Sequence, residues 1–137
     1  MTAKRQAFPA RTDALPGVSA WVENRCVQLG LARPATLLLM LMAEELFINA
    51  AIHGYGNDGR RRIWLAIRDC GAEVELVAED NAPAFDPFRE VPAAAPSGDR
   101  IGGYGRRLLL GLSSRQAYQR RGPRNCVTVG VRKNRSP

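Results

Sequence analysis

Residues 35–53 read Ala35-Thr-Leu-Leu-Leu-Met-Leu-Met-Ala-Glu-Glu-Leu-Phe-Ile-Asn-Ala-Ala-Ile-His53. Apolar residues, from Leu37 through Met42 and again at Leu46, Phe47 and Ile48, cover much of a helical circumference. Length and composition predict a mostly buried central helix rather than a strand. Within it stand Glu44, Glu45, Asn49 and His53. Glu45 and Asn49 are one helical turn apart and share a face, and His53 follows one turn later. Buried polar groups are costly unless they are paired or put to use. An amide oxygen can ligate Mg²⁺ beside phosphate oxygens, and a carboxylate one turn earlier can orient or deprotonate an attacking hydroxyl. A polar helix edge near the surface, capped by His53, satisfies the same spacing.

On the N-terminal side, Val18, Trp21, Val22, Cys26 and Leu29 recur at intervals of three and four, which predicts an amphipathic helix over 18–29 ending at Gly30. Pro16 and Pro34 suit helix entries, and residues 4–9 suit an edge strand. On the C-terminal side, 63–70 and 73–78 alternate as two strands of an antiparallel hairpin. Residues 117–120 and 125–131 read as a final hairpin around Gly122-Pro123. The order β-α-α-β-β-loop-α-β-β, with its third helix starting at 106–112, predicts an α+β sandwich. Its sheet is mixed and mainly antiparallel, with helices on one face.

The connection over 80–103 carries Pro83, Pro87, Pro92, Pro96, Gly98, Gly102 and Gly103. A loop this long in a compact domain is usually functional or mobile. Gly102-Gly-Tyr-Gly105 ahead of a helix offers backbone N–H groups to an anion, and a flexible hinge has the same composition. Asp80, directly after a strand, can accept a hydrogen bond from an exocyclic amine or cap a turn. Phe85 and Phe88 can wall an apolar pocket or anchor the loop.

With 137 residues the chain is one domain's worth of protein. We expect a single domain over 1–137, with a core over about 4–131, a lid loop over about 82–101 and a polar tail over 132–137. The longest apolar run is far shorter than the ~20 residues a membrane span needs. No apolar segment follows the basic N-terminus as in a secretory signal, so a cytoplasmic protein without membrane contact is expected. Cys26, Cys70 and Cys126 have no CxxC spacing and there is one histidine, which argues for buried free thiols rather than a zinc site. Residues 1–99 hold 10 Lys/Arg and 13 Asp/Glu, whereas 100–137 hold 10 basic residues and no acidic one. Such a field attracts nucleic acid, nucleotide or acidic protein alike. No helix-turn-helix, zinc-finger or RNP signature accompanies it, so direct nucleic-acid binding is not expected.

Taken in order, these motifs resemble those of a known family. Glu45-Leu-Phe-Ile-Asn49-Ala-Ala-Ile-His53 resembles the N box of the histidine-kinase-like ATPases. Asp80-Asn-Ala-Pro-Ala-Phe85-Asp86-Pro87 looks like the first glycine box, and Arg100-Ile-Gly102-Gly103-Tyr-Gly105 like the second. Tyr118-Gln-Arg-Arg-Gly122-Pro-Arg-Asn125-Cys-Val-Thr128-Val is similar to the closing strands of the anti-sigma branch, the serine-protein kinases that bind sigma factors. The resemblance spans residues 4–131 and implies a Bergerat-type fold binding ATP or ADP with Mg²⁺. It implies Asn49 as the Mg²⁺ ligand and Glu45 as general base. Asp80 would read the adenine amino group, supported by Thr128 through water. Gly102, Gly103 and Gly105 would hold phosphates, and Arg100 would contact the terminal phosphate. His53, Ala82, Phe85 and Tyr104 belong to the same boxes and are expected at the nucleotide. The implied substrate is a serine on a small anti-sigma antagonist, the implied partners are that antagonist and a sigma factor, and a homodimer is the expected assembly. Ala82 stands where the family carries glycine, which permits φ > 0, and alanine resists that conformation by roughly 1 kcal/mol or more. Arg106 replaces a usual apolar residue. A non-catalytic regulator that sequesters a partner on the same fold is the alternative that Ala82 raises.

Overall fold

The computed structural model describes residues 4–89 and 111–134. Helix α1 is Leu15–Gln28, with a proline in its first turn and Val18, Val22 and Cys26 buried one turn apart. It ends in a Schellman motif: Leu31 N–H donates to the Cys26 carbonyl at 3.1 Å and Gly30 N–H to Val27 at 3.0 Å. Gly30 takes φ +70°, the left-handed conformation this cap requires. Helix α2 is Arg33–Ile48.

Five strands form the sheet: β1 (Gln6–Pro9), β2 (Arg62–Asp69), β3 (Glu73–Asp80), β4 (Arg115–Arg121) and β5 (Arg124–Arg132). They lie in the order β1-β2-β3-β5-β4. Every pairing is antiparallel, so the mainly antiparallel sheet expected from the alternation has no parallel pair among the described strands. The expected helix at 106–112 lies outside the described residues except for Gly111 and Leu112, which are helical.

Period-two alternation sends Ile63, Leu65 and Ile67 of β2, Val74, Leu76 and Ala78 of β3, and Val127, Val129 and Val131 of β5 to one buried face. Register reinforces this, since Val74 opposes Val131, Leu76 opposes Val129 and Ala78 opposes Val127. Leu39, Met42, Leu46 and Phe47 of α2 and Val18, Val22 and Cys26 of α1 complete the core. Phe8 of β1 joins the layers, edge-on to Trp21 at 5.9 Å and to Phe47 at 6.3 Å. Charged groups occupy the other face. There the Arg5 and Arg124 guanidiniums lie 5.3 Å and 4.9 Å from the Trp64 ring centroid.

One feature of the central helix refines the sequence expectation and one departs from it. Its burial is one-sided: Leu37 and Leu41 are 44% and 49% exposed, because α2 lays one side on the sheet and turns the other to solvent. Regular α geometry also ends at Ile48, and Asn49–Gly54 winds as a π-helix, with Tyr55 N–H donating five residues back to Ala50. The stretch Arg33–Gly54 is long and apolar enough to cross a membrane by length and composition alone, but more than half of it is buried in the protein, as befits a core helix.

Candidate functional site

The π turn begins at Asn49, and single π turns in helices recur at functional sites. The Asn49 Nδ2 donates back to the Glu45 carbonyl at 2.9 Å. Asn49 lines the adjoining cleft, and its Oδ1 accepts no hydrogen bond among the described residues. Leu46, Asn49, Ala50 and Gly54 form one wall of this cleft, Ala78 and Asp80 of β3 with Asn125 and Val127 of β5 form its floor, and Ala82, Pro83, Phe85 and Pro87 close the far side. Its empty space, counted out to open solvent, is about 460 Å³.

Asp80 sits at the last position of β3, on the inward-facing alternation that continues Ala78. Its Oδ1 accepts from Ala82 N–H at 2.9 Å and from Asn125 Nδ2 at 2.8 Å. Oδ2 accepts no hydrogen bond among the described residues. The cleft therefore offers apolar walls to a flat ring and one anionic acceptor to an exocyclic amine at its end, the composition of a small-molecule site. Asn49 Oδ1 at the opposite wall is a hard oxygen donor of the kind Mg²⁺ takes. These donors fit a purine nucleotide with its metal.

Asn125 is 3% exposed and its side chain makes six contacts. Besides Asp80, Nδ2 donates to the carbonyls of Ala82 at 3.2 Å and Pro83 at 3.1 Å. Oδ1 accepts from Tyr118 Oη at 2.6 Å, Arg120 Nη1 at 3.1 Å and Phe85 N–H at 3.4 Å. Arg120 Nη1 also donates to the Ala82 carbonyl at 2.8 Å. Beside the cleft, Asn81 N–H donates to Tyr55 Oη at 2.5 Å, and the Arg61 guanidinium covers the Tyr55 ring. Burial pushes the Tyr55 phenol above its ordinary value, with Asp80 adding to the effect and the Asn81 N–H opposing it.

Of the residues expected at the site, Asn49, Asp80, Ala82 and Phe85 line one cleft. Glu45 is half-buried one turn before Asn49. His53, on the π turn, is exposed and outside the cleft lining. Thr128 opposes Val77 in β3 and Ala117 in β4, which puts it on the face of the sheet away from Asp80. The residue opposite Asp80 is Asn125, whose side chain, unlike that of Thr128, is hydrogen-bonded to the Asp80 carboxylate. The strain expected at Ala82 is also absent: Asn57 is the one non-glycine residue at positive φ among those described, and the Ala82 methyl is buried at 3% exposure. Arg100, Gly102, Gly103, Tyr104 and Gly105 lie outside the described residues, as does most of the expected lid. The signal that could have found Asn125 is a polar residue at the first inward position of the alternation 125, 127, 129, 131, otherwise all valine.

Residues 8–131 match the family of the histidine kinase-like ATPase domain. A serine/threonine-protein kinase, BtrW of Bordetella bronchiseptica, is 31% identical over 121 residues, covering 86% of this chain and 82% of that protein. Among solved structures, the Erythrobacter litoralis EL346 blue-light activated histidine kinase superposes with a TM-score of 0.57 at 17% identity, over 75% of this chain. This chain spans only 32% of that one. The histidine kinase AdeS of Acinetobacter baumannii superposes at 0.53 with 11% identity, over 98% of this chain and 70% of its own. At these identities the structural likeness concerns the fold alone.

Proposed function

The chain belongs to the histidine kinase-like ATPase domain family, and from that premise we propose that it is an ATP-dependent protein-serine/threonine kinase acting as a cytoplasmic regulator of a sigma factor. The family and the relative support kinase or ATPase activity and nucleotide binding. The observation that carries the finer reading is the cleft itself, with the Asp80 carboxylate at its floor and the Asn49 amide on its wall, one turn after Glu45.

Bound Mg-ATP supplies the transferable phosphoryl group and the cation that offsets its charge. Toward it, Asp80 Oδ2 would accept from the adenine amino group, while Leu46, Ala50, Phe85 and Val127 of the cleft lining would exclude water from the faces of the ring. Asn49 Oδ1 would hold the metal. Glu45 would accept the proton of a seryl hydroxyl as the seryl oxygen bonds to the γ-phosphorus and the bond from that phosphorus to the β,γ-bridging oxygen breaks, ADP leaving, the role a carboxylate fills in phosphoryl transfer. The substrate in this reading is a serine on a small anti-sigma antagonist, and the chain acts as a homodimer that also binds the sigma factor. Ala82 favours no second reading, since its backbone is unstrained.

Calorimetric titration of the chain with Mg-ATP tests the premise: saturable binding is expected, and no heat with no competition by ADP overturns it. Phosphate transfer from labelled ATP to a small antagonist protein of the same organism tests the chemistry. Glu45→Ala is expected to lower transfer by about 10²- to 10⁴-fold while Mg-ATP still binds, and transfer at the wild-type rate would remove Glu45 as the base.

A further inference from the structure

We infer that Asn125, held by Tyr118 and Arg120, is the positioning residue that fixes the Asp80 carboxylate and the Ala82–Phe85 wall for base recognition, an inference that rests on the nucleotide reading above. The Asn125 amide has only one workable orientation. Its oxygen faces three donors, Tyr118 Oη, Arg120 Nη1 and Phe85 N–H, and its nitrogen faces three acceptors, Asp80 Oδ1 and the carbonyls of Ala82 and Pro83. Flipped, it would set donors against donors and oxygen against a carboxylate.

The position of this side chain is as constrained as its orientation. It stands opposite Asp80 in the β3–β5 register and is almost fully buried, where an unsatisfied polar group is expensive. Arg120 and Tyr118 reach it from the neighbouring strand β4. A chain of contacts thus runs from the edge strand through Asn125 to Asp80 and on to the backbone that closes the cleft. Its consequence for selectivity is direct. Among the described residues, Ala82 N–H and Asn125 Nδ2 both bond Asp80 Oδ1, and the carboxylate's other oxygen is the one this reading gives to the ligand. That oxygen accepts from a purine 6-amino group and opposes a 6-keto oxygen.

Calorimetry of the full chain with Mg-ATP and Mg-GTP, with thermal unfolding as a check on folding, tests this. Wild type binds ATP over GTP. Asn125→Ala loses about tenfold or more in ATP affinity, the scale of a hydrogen bond to a charged group, and the preference over GTP narrows. Asn125→Asp is isosteric and serves if the alanine variant does not fold. It sets a second carboxylate beside Asp80 in the presence of Arg120 and Tyr118 from β4 and Tyr55, the residue that follows the π turn. Two carboxylates at one site share a proton at low pH and repel at high pH. The affinity of this variant relative to wild type therefore improves from about pH 8 to about pH 5, a change that a merely structural residue would not produce. Equal ATP affinity in wild type and Asn125→Ala, or a deficit in Asn125→Asp that is the same at both pH values, overturns the positioning role alone. No nucleotide binding by wild type overturns the function and this role together.

Discussion

At the residue scale, Gly54 and Ala82 meet across the cleft wall. A β-carbon added at Gly54 would lie 2.9 Å from the Ala82 methyl carbon, closer than carbon atoms approach, and neither group has a flexible end that can move aside. The two positions thus divide one methyl's worth of space between them, and glycine at 54 accommodates alanine at 82. We expect Gly54→Ala to cost about 1–3 kcal/mol, the usual price of overpacking, and the double variant Gly54→Ala/Ala82→Gly to recover most of it. A urea-unfolding cycle on the four proteins measures the coupling, and additive losses would show that the two positions do not share space. The substitution at 82 was legible in the sequence as a departure from a pattern. Its consequence was not, because it depends on a residue 28 positions away whose proximity no local rule encodes. Cys26 shows the same dependence on surroundings: burial drives its thiol up to about 11 against the opposing hydrogen bond of Thr36, as expected of an inert core cysteine.

At the scale of elements, β3 carries two different faces. Inward it supplies Val74, Leu76, Ala78 and finally Asp80. Outward it supplies Glu73, Glu75 and Glu79, each engaged by arginine. Glu75 is 5% exposed and lies 2.5 Å from both Arg68 of β2 and Arg115 of β4, which ties three strands together. Burial pushes its carboxyl up, but the two arginine hydrogen bonds prevail and hold it below the ordinary range. A depressed folded-state pKa contributes stability that is fully present above the unfolded value of about 4.3 and is lost as pH falls through the folded value. Glu75→Gln is therefore expected to destabilise by about 1–3 kcal/mol at neutral pH, toward the lower figure because both guanidiniums are half-exposed and screened. Its stability should also fall less steeply below about pH 4.3 than that of wild type. Denaturant titrations at pH 7 and at acid pH measure both effects, and identical acid limbs would remove Glu75 as a source of acid sensitivity. The strands themselves were legible from alternation to within two or three residues. The π turn at Asn49–Gly54 was not, because a helical pattern of apolar residues does not record where the hydrogen bonding widens from four residues to five.

At the scale of the whole molecule, the cleft is assembled from α2, the π turn, β3, β5 and the segment after β3, so a ligand bound there holds together elements from both layers. Such a ligand stabilises the folded state by mass action. At about 100 times its dissociation constant Mg-ATP is expected to add about 2.7 kcal/mol to the unfolding free energy and to raise the melting temperature accordingly. An unchanged melting temperature at saturating nucleotide would contradict binding in the cleft. The sequence by itself determined the elements and their inward faces, since period-two and helical spacing follow from backbone geometry alone. It also singled out Glu45, Asn49 and Asp80 as candidate site residues, because polar groups stand out where the pattern demands apolar ones. Only the tertiary structure decided which side chains meet. Antiparallel register set Asn125, and not Thr128, opposite Asp80, and His53 came to an exposed position outside the cleft lining. A one-residue step along a strand reverses the face a side chain presents, and that choice is made by pairing with a distant strand.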